Sequence, residues 1–98
     1  MNIEKRIEGK VLTVIPEGRL DTMTTPEFSA ELDRSLPDAE QLVIDCSKLE
    51  YTSSAGLRAL LSAHKLMTDK KGMKLIHCNE TVQAVLNVTG LADIFHIE

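Results

Sequence analysis

Short apolar runs alternate with amphipathic segments along most of this chain, and this alternation is the feature that most constrains its fold. The runs KVLTVI (10–15), QLVIDC (41–46) and MKLIHC (73–78) are strand-like, because short β-branched apolar runs are typical of buried strands. Segments with helical spacing of apolar residues follow each of them. Strands that alternate with helices favour right-handed crossovers and a mostly parallel sheet. The chain is therefore predicted to be an α/β domain.

Two further extended segments complete the predicted sheet. Residues 3–8 (IEKRIE) are expected to form a hairpin with 10–15 through Gly9, since glycine permits the positive φ of a tight turn. The segment IFHI (94–97) is expected to add a short final strand. The predicted sheet is mixed and mostly parallel, with four to five strands and about three to four helices packed on it.

Two connections are predicted to be irregular. Pro16-Glu17-Gly18 is expected to end the second strand, and RLDTMTT (19–25) is expected to follow as a loop, because proline and glycine interrupt strands. SKLEYTSS (47–54) is interpreted as a second loop. Both loops lead into predicted helices, so both are expected at the carboxyl ends of strands.

The helices have recognisable ends in the sequence. The first is predicted to begin at a threonine cap, either Thr24 or Thr25, and to end at Pro37, as capping preferences indicate. The second is predicted to begin at Ala55, and the third to cover residues 79–88.

Composition narrows the classes of function. The 98 residues suit one domain, predicted to span 1–98, with a modest core and little room for a deep cleft. The formal net charge is −4 and no basic stripe is present, which argues against binding to nucleic acid or to an anionic membrane surface. No run approaches the ~18 apolar residues of a membrane span, so membrane insertion is not expected.

The cysteines and the N-terminal segment indicate the compartment. A secreted domain of this size would usually carry more cysteines than Cys46 and Cys78. Both thiols are therefore expected to be reduced and buried. The segment MNIEKRIEGK (1–10) lacks the apolar stretch of a signal peptide. A cytoplasmic location is expected.

The hydroxyl pair Ser53-Ser54 stands where a predicted loop meets the second predicted helix. In open α/β sheets, ligands and functional groups gather at the carboxyl ends of strands. The unpaired N–H groups of a helix start can accept a serine cap or hold a phosphate. One serine is expected to cap the helix while its neighbour stays exposed, and the residues alone leave open which serine takes which role.

A catalytic role for Ser54 is not expected. The frame TSSAG (52–56) lacks the first glycine of the G-x-S-x-G nucleophile elbow. A nucleophile also needs a base within hydrogen-bond reach, whereas His64 lies about 15 Å further along the helix. His64 falls on the apolar stripe and is expected to be a partly buried core histidine.

No enzyme, metal or cofactor is predicted. The glycines match neither G-x-x-x-x-G-K-[ST] nor G-x-G-x-x-G. The histidines and cysteines show no metal-ligand spacing.

Asp21 and Asp45 are the acids of interest, because each is expected near the carboxyl end of a strand. Aspartate often satisfies backbone N–H groups in turns, and this interpretation is favoured. The alternative is that both acids flank the serine loop and tune its polarity.

Four segments in order resemble the STAS domain, which bacterial anti-sigma-factor antagonists share with the cytoplasmic tails of sulphate transporters. They are GRLDTMTTPEF (18–28), LVIDCSKLEYTSSAGLRALLSAHKLM (42–67), Gly72 before MKLIHC, and VQAVLNVTGLADIF (82–95). The resemblance covers nearly the whole chain. It implies a single-domain STAS-like fold and a regulatory role without catalysis.

The resemblance also implies unequal roles for the two serines. In the antagonist branch the loop is roughly D-S-[ST]-G-L, and its first serine is phosphorylated by the cognate kinase. Aligned on this pattern, Ser54 stands at the phosphorylated serine, Ser53 at the aspartate and Ala55 at the second hydroxyl position. Ser54 is therefore the predicted phosphoacceptor, with Ser53 as the alternative. The family's acids match Asp21 and Asp45.

The implied partners are an anti-sigma factor that is itself a serine kinase, and a PP2C-type phosphatase that removes the phosphate. Asp45 is expected to act as a polar group of its loop, and the free chain is expected to be a monomer. An alternative function is a cytoplasmic scaffold subunit of a lipid-exporting ABC transport complex. The residues expected to bind the kinase are Asp21, Thr22, Thr52, Ser53, Ser54, Ala55, Gly56, Leu57 and Arg58.

Overall fold

One long strand organises the sheet by pairing with three others. The computed structural model describes residues 1–98. β1 (Asn2–Glu8) pairs antiparallel with β2 (Val11–Leu20), and Gly9 lies in the turn between them with φ of 61°. β2 also pairs in parallel with β3 (Gln41–Asp45) and, nearer its end, with β4 (Leu49–Thr52). The predicted hairpin through Gly9 is therefore present.

The remaining elements follow in the predicted order. Two short 3-10 turns cover residues 36–38 and 91–93. The other helices and strands are α1 (Thr25–Ser35), α2 (Ser54–Met67), β5 (Met73–Ile76), α3 (Glu80–Thr89) and β6 (His96–Ile97).

The sheet is mixed and mostly parallel, as predicted. Its order is β1-β2-β3-β5-β6, with β4 paired to β2 beside this path. Only the β1–β2 pair is antiparallel, and every other pair is parallel. The sheet has six strands rather than the four to five predicted, because β4 was not expected.

The predicted end of β2 at Pro16-Glu17-Gly18 is wrong. The strand continues to Leu20. Pro16 lies between Val14, the last residue paired with β3, and Gly18, the first paired with β4. A missing N–H there breaks no parallel ladder bond, so the strand tolerates proline. A register shift between Gly18 and Arg19 then lets β2 pair with β4.

The prediction that residues 47–54 form only a loop is also wrong, because β4 lies within them. Leu49 is 2% exposed and Thr52 is fully buried. These two side chains anchor a four-residue strand that has a partner only because β2 extends past Gly18.

The core is mainly aliphatic and lies between the sheet and the helices. α1 packs against α2, and α3 packs against β4. Cys46 is buried and Cys78 is half-buried, and both thiols are free. None of the helices combines the length and apolar character needed to cross a bilayer.

Candidate functional site

The start of α2 is attached directly to the end of β2. Leu20 of β2 is in register with Thr52 of β4, and the next N–H, that of Ser53, donates to the Leu20 carbonyl oxygen at 2.8 Å. α2 then begins at Ser54, whose side chain is exposed. The sheet therefore holds the Ser54 hydroxyl at a fixed place on the surface.

Gly56 allows the helix to approach the sheet this closely. Gly56 is buried in the first turn of α2. A Cβ atom built on it would lie 2.8 Å from Cγ of Leu20 and would also overlap Oγ1 of Thr52. Since Thr52 is fully buried, neither neighbour has open space to move into. Glycine is therefore required by packing here rather than by backbone conformation.

Ser53 occupies the N-cap position but does not form the predicted serine cap. Its backbone is extended, with φ of −90° and ψ of 178°, which suits a cap residue. Its hydroxyl makes no capping hydrogen bond, and its Oγ is buried without a partner. The side chain is turned into the protein, so the first N–H groups of α2 stay uncapped.

The electrostatics of this helix start favour an anion. The first turn of α2 contains no acidic residue, and a helix N-terminus carries about half a positive charge. Arg58 is exposed and lies four residues after Ser54, which places both on one face of the helix. A shallow groove of about 300 Å³ between α1 and α2 adjoins this face, and is lined by Thr25, Ser29, Ala55, Arg58, Ala59 and Ser62.

The loop between β2 and α1 is held in shape by Asp21. Oδ1 of Asp21 accepts hydrogen bonds from the N–H groups of Met23, at 2.9 Å, and Thr24, at 3.1 Å. The Thr24 hydroxyl donates to the carbonyl oxygen of Arg19 at 2.8 Å. The N–H groups of Thr24 and Met23 hold the pKa of Asp21 below its ordinary value. The loop is thus an ordered turn.

This turn exposes an apolar side chain that the sequence interpretation did not single out. Met23 is 86% exposed and follows Thr22, which is also exposed. The available signal was that Met23 is the one apolar residue among the polar residues of DTMTT (21–25). Next to the turn, the Arg19 guanidinium lies 4.6 Å from the centre of the Tyr51 ring, and this cross-strand contact joins the end of β2 to β4.

The predicted binding residues come together, but not all of them reach the surface. Thr22, Ser54 and Arg58 are exposed, whereas Asp21, Ser53 and Ala55 are half-buried. The remaining three are buried and can only position the others; they are Thr52, Gly56 and Leu57. We call the accessible set, Asp21 to Met23 with Ser54, Ala55 and Arg58, the α2-start surface.

Asp45 lies apart from this surface. Its Oδ1 accepts from the N–H of Ser47 at 3.0 Å and contacts Nδ1 of His77 at 3.1 Å. Partial burial acts to raise the pKa of Asp45, but the hydrogen bonds from Ser47 and His77 together outweigh it and hold the pKa below its ordinary value. Its hydrogen bonds involve neither Ser53 nor Ser54, so the structure favours the turn-forming interpretation.

The chain is a small α/β domain. Its mostly parallel sheet has an antiparallel first strand, and the start of α2 is fixed to the end of β2. The STAS domain family matches residues 2–98. The chain belongs to the STAS family.

Two relatives that match in sequence are named as anti-sigma factor antagonists. The chain is 29% identical over 100 residues to an anti-sigma F factor antagonist of Paenibacillus polymyxa, covering 99% of this chain and 86% of that protein. Its fold is similar to a crystal structure of an anti-sigma factor antagonist from Mycobacterium paratuberculosis. The TM-score there is 0.90 at 23% identity, over 98% of this chain and 83% of that one.

The fold is also similar to the Bacillus cell fate determinant SpoIIAA, whose structure was solved in the phosphorylated form. The TM-score is 0.75 at 14% identity, and the match covers 99% of this chain and 91% of that chain. At this identity the likeness concerns the fold alone.

Proposed function

We propose that this chain is a cytoplasmic anti-sigma-factor antagonist that binds its anti-sigma factor through the α2-start surface and is released by phosphorylation of Ser54. The observation that carries the proposal is the exposed Ser54 hydroxyl at the first residue of α2, in a helix turn without any acid. The similarity to the anti-sigma F factor antagonist of Paenibacillus polymyxa, over most of the length of both chains, supports an anti-sigma factor as the partner.

The unphosphorylated surface suits a protein partner. Met23 offers an exposed apolar contact, and the Asp21 turn beside it is already ordered, so docking requires little loss of loop entropy. Ser54 and Ala55 are small, which lets a partner approach the helix start closely. Arg58 adds a cation that an acidic group of the partner can meet.

Phosphorylation would change this surface without unfolding the domain. The anti-sigma factor, acting as a serine kinase, transfers the terminal phosphoryl group of ATP to the Ser54 oxygen and releases ADP and a proton. The new group carries about −1.5 to −2 charges. The uncapped N–H groups of α2 and the Arg58 guanidinium can accommodate them. A partner seated on the same surface loses fit and meets new negative charge. A PP2C-type phosphatase would reverse the step by hydrolysis.

The first test maps the phosphosite. The full chain is incubated with ATP and the serine kinase encoded nearest to it, and the product is digested and analysed by mass spectrometry. One phosphate is expected on Ser54, and Ser54→Ala should remain unmodified while Ser53→Ala is still phosphorylated. Phosphate on Ser53 in the unaltered chain would overturn the assignment, because the Ser53 hydroxyl is buried in the folded domain.

The second test measures binding with a charge-matched control. Ser54→Asp should weaken binding to the kinase by at least about tenfold, which is about 1.4 kcal/mol, whereas Ser54→Ala should bind like the unaltered chain. Ser62→Asp places the same charge at an exposed position of α2, about 12 Å further along the helix, and should weaken binding far less. Equal binding by Ser54→Asp and Ser54→Ala would contradict the switch.

A further inference from the structure

The strands at the two ends of the sheet order differ in how they are protected. β6 has two residues, whereas β1 has seven. Natural sheets protect an edge with a very short strand, proline, a bulge, a covering segment or charged side chains. Of these devices β1 has only the charges: it contains no proline, it pairs with β2 without a register shift, and no backbone hydrogen bond outside the sheet involves residues 2–8. β1 therefore offers a long free edge.

The hairpin decides which backbone groups of β1 are free. Glu8 and Val11 flank the two-residue turn and are in register, and in such a turn the N–H of the fourth residue bonds to the carbonyl oxygen of the first. Hydrogen-bonded and non-hydrogen-bonded pairs then alternate along the antiparallel ladder. The backbone groups of the even-numbered residues of β1 therefore point to β2. Those of Ile3, Lys5 and Ile7 point away from the sheet and have no partner.

The charges of β1 suit a second copy of the same strand in one antiparallel register. Only the odd-numbered residues have free backbone groups, so a two-fold axis must pass through a residue and not between two. An axis at Glu4 sets two glutamates opposite each other, and an axis at Arg6 sets two arginines opposite each other. An axis at Lys5 sets Glu4 of each copy opposite Arg6 of the other. Opposite charges across strands stabilise pairing, and like charges oppose it.

The axis at Lys5 also brings the two copies of this lysine opposite each other. Each ammonium is already paired within its own chain, because Nζ of Lys5 lies 2.8 Å from Oε2 of Glu31 and 3.3 Å from the hydroxyl of Ser35 in α1. This ion pair reduces the repulsion between the two lysines, so the register remains favourable.

The same register covers an exposed apolar side chain. Ile7 is 73% exposed, on the face of β1 that it shares with Ile3 and Lys5. Ile3 is half-buried and packs against the core. With Lys5 on the axis, Ile7 of each copy lies opposite Ile3 of the other, so pairing removes apolar surface from water.

We propose that two copies of this chain form a two-fold dimer through the free edge of β1, with Lys5 on the axis. Ile3, Lys5 and Ile7 exchange backbone hydrogen bonds with the other copy. Glu4 and Arg6 form ion pairs between the chains at the non-hydrogen-bonded positions, where opposite side chains lie closest. This dimer replaces the monomer expected from the sequence. It does not involve Ser54, so it stands or falls independently of the proposed function.

The first test measures mass and edge protection of the full chain at different concentrations. Pairing of one strand covers a small area, so the dimer should be weak and should form between about 10 μM and about 1 mM. In sedimentation equilibrium the mass should rise from 10.9 kDa towards twice that value. Amide exchange of Ile3, Lys5 and Ile7, followed by NMR, should slow over the same range, while Glu4 and Arg6 are protected throughout.

Two results of this test would overturn the dimer. A chain that stays at 10.9 kDa throughout would leave the edge to an extended segment of another protein. A mass that rises while the N–H groups of Ile3, Lys5 and Ile7 still exchange rapidly would place the contact elsewhere on the molecule.

A charge-swap cycle tests the register. Glu4→Arg sets two arginines opposite each other at both symmetric positions and should weaken the dimer by at least about tenfold. Arg6→Glu should have a similar effect, and the double variant should restore the dimer. Glu50→Arg makes the same change in net charge at an exposed position of β4 and should dimerise like the unaltered chain. A double variant that stays monomeric would contradict the register.

Ile7→Pro tests the backbone contribution. It removes an N–H that points away from β2, so the hairpin ladder keeps its hydrogen bonds and the fold is retained. The variant should keep the far-UV circular dichroism spectrum of the unaltered chain and should no longer dimerise at about 1 mM. A folded proline variant that dimerises like the unaltered chain would overturn pairing through this edge.

Discussion

The chain enters α2 and α3 with nearly the same backbone conformation, but only α3 has a cap side chain that binds one of its first N–H groups. The cap residues are extended in both, with φ and ψ of −90° and 178° at Ser53 and −78° and 175° at Asn79. Asn79 accepts a hydrogen bond from the N–H of Val82 through Oδ1 at 2.8 Å, whereas the Ser53 hydroxyl accepts none. The difference therefore lies in the side chains and not in the path of the chain.

The residues that follow the two caps also differ. α3 has the acid Glu80 in its first turn and the buried Val82 at its third position. α2 has no acid there and has Gly56 at its third position. The start of α3 is closed by its own side chains and contributes to stability. The start of α2 is fixed to the sheet by backbone contacts and leaves its polar groups available to a ligand or a partner.

The largest expected effect is that of Gly56→Ala. The added methyl group would lie 2.8 Å from Cγ of Leu20, between a strand and a helix that cannot separate freely. Overpacking of this kind should lower the free energy of unfolding by about 3 kcal/mol, measured by urea denaturation. Arg58→Ala, an exposed change two residues later, should stay within about 0.5 kcal/mol. A small effect at Gly56 would mean that the start of α2 is not locked to the sheet.

Substitution of the two cap residues should give the next largest difference in the free energy of unfolding. Asn79→Ala removes the cap of α3 and the hydrogen bond to Leu49, and should cost about 2 kcal/mol of unfolding free energy. Ser53→Ala removes a hydroxyl that is buried without a partner, so its effect should stay within about 0.5 kcal/mol. Thermal unfolding of the two variants side by side measures the contrast. Equal losses would show that Ser53 does cap its helix.

Adding or removing an acidic charge at the two helix starts should have a smaller effect on the free energy of unfolding. Ser54→Asp supplies the acid that the first turn of α2 lacks, and should stabilise the fold by about 0.5 kcal/mol at low salt. Glu80→Gln removes the acid of α3 and should destabilise by a similar amount. Both effects should shrink in high salt because the charges are exposed. Destabilisation by Ser54→Asp would contradict an anion-tolerant helix start.

The smallest expected effect concerns the turn beside the α2 start. The folded-state pKa of Asp21 is lowered by the N–H groups of Thr24 and Met23. A lowered pKa gives stability that is present above the unfolded-state pKa and is lost as the pH falls from there through the folded-state value. Asp21→Asn should therefore flatten the decline of stability below about pH 4, as followed by urea midpoints. An unchanged slope would show that Asp21 does not support the turn.

The alternation of strand and helix patterns was sufficient to predict most of the fold. β3 and β5 are compact apolar runs that the sheet buries, so their local pattern and their environment agree. β4 could not be predicted, because LEYT is short, half-polar and flanked by turn residues. It exists through pairing with β2, which continues past Pro16 because that residue lies between the segment paired with β3 and the segment paired with β4.

The positions of the candidate site residues in the fold could be predicted better than the directions of their side chains. The position of Ser54 at a helix start follows from residue types and spacing. The inward direction of the Ser53 hydroxyl does not, because it depends on the packing of the helix start against the sheet. The same packing buries Thr52 and Leu57, which the sequence interpretation placed among the contact residues. Met23 was missed because exposure of an apolar residue is decided by the shape of its turn.

The attachment of Ser53 to Leu20 has a consequence for how Ser54 can be recognised. A kinase that reads an extended peptide cannot obtain one here, since the residue before Ser54 is bound to β2 and those after it are helical. Under the proposed function, the substrate of the kinase is a folded shape rather than a linear sequence. A peptide of residues 49–61 would have the same sequence without that shape, so only the intact domain would be a good substrate.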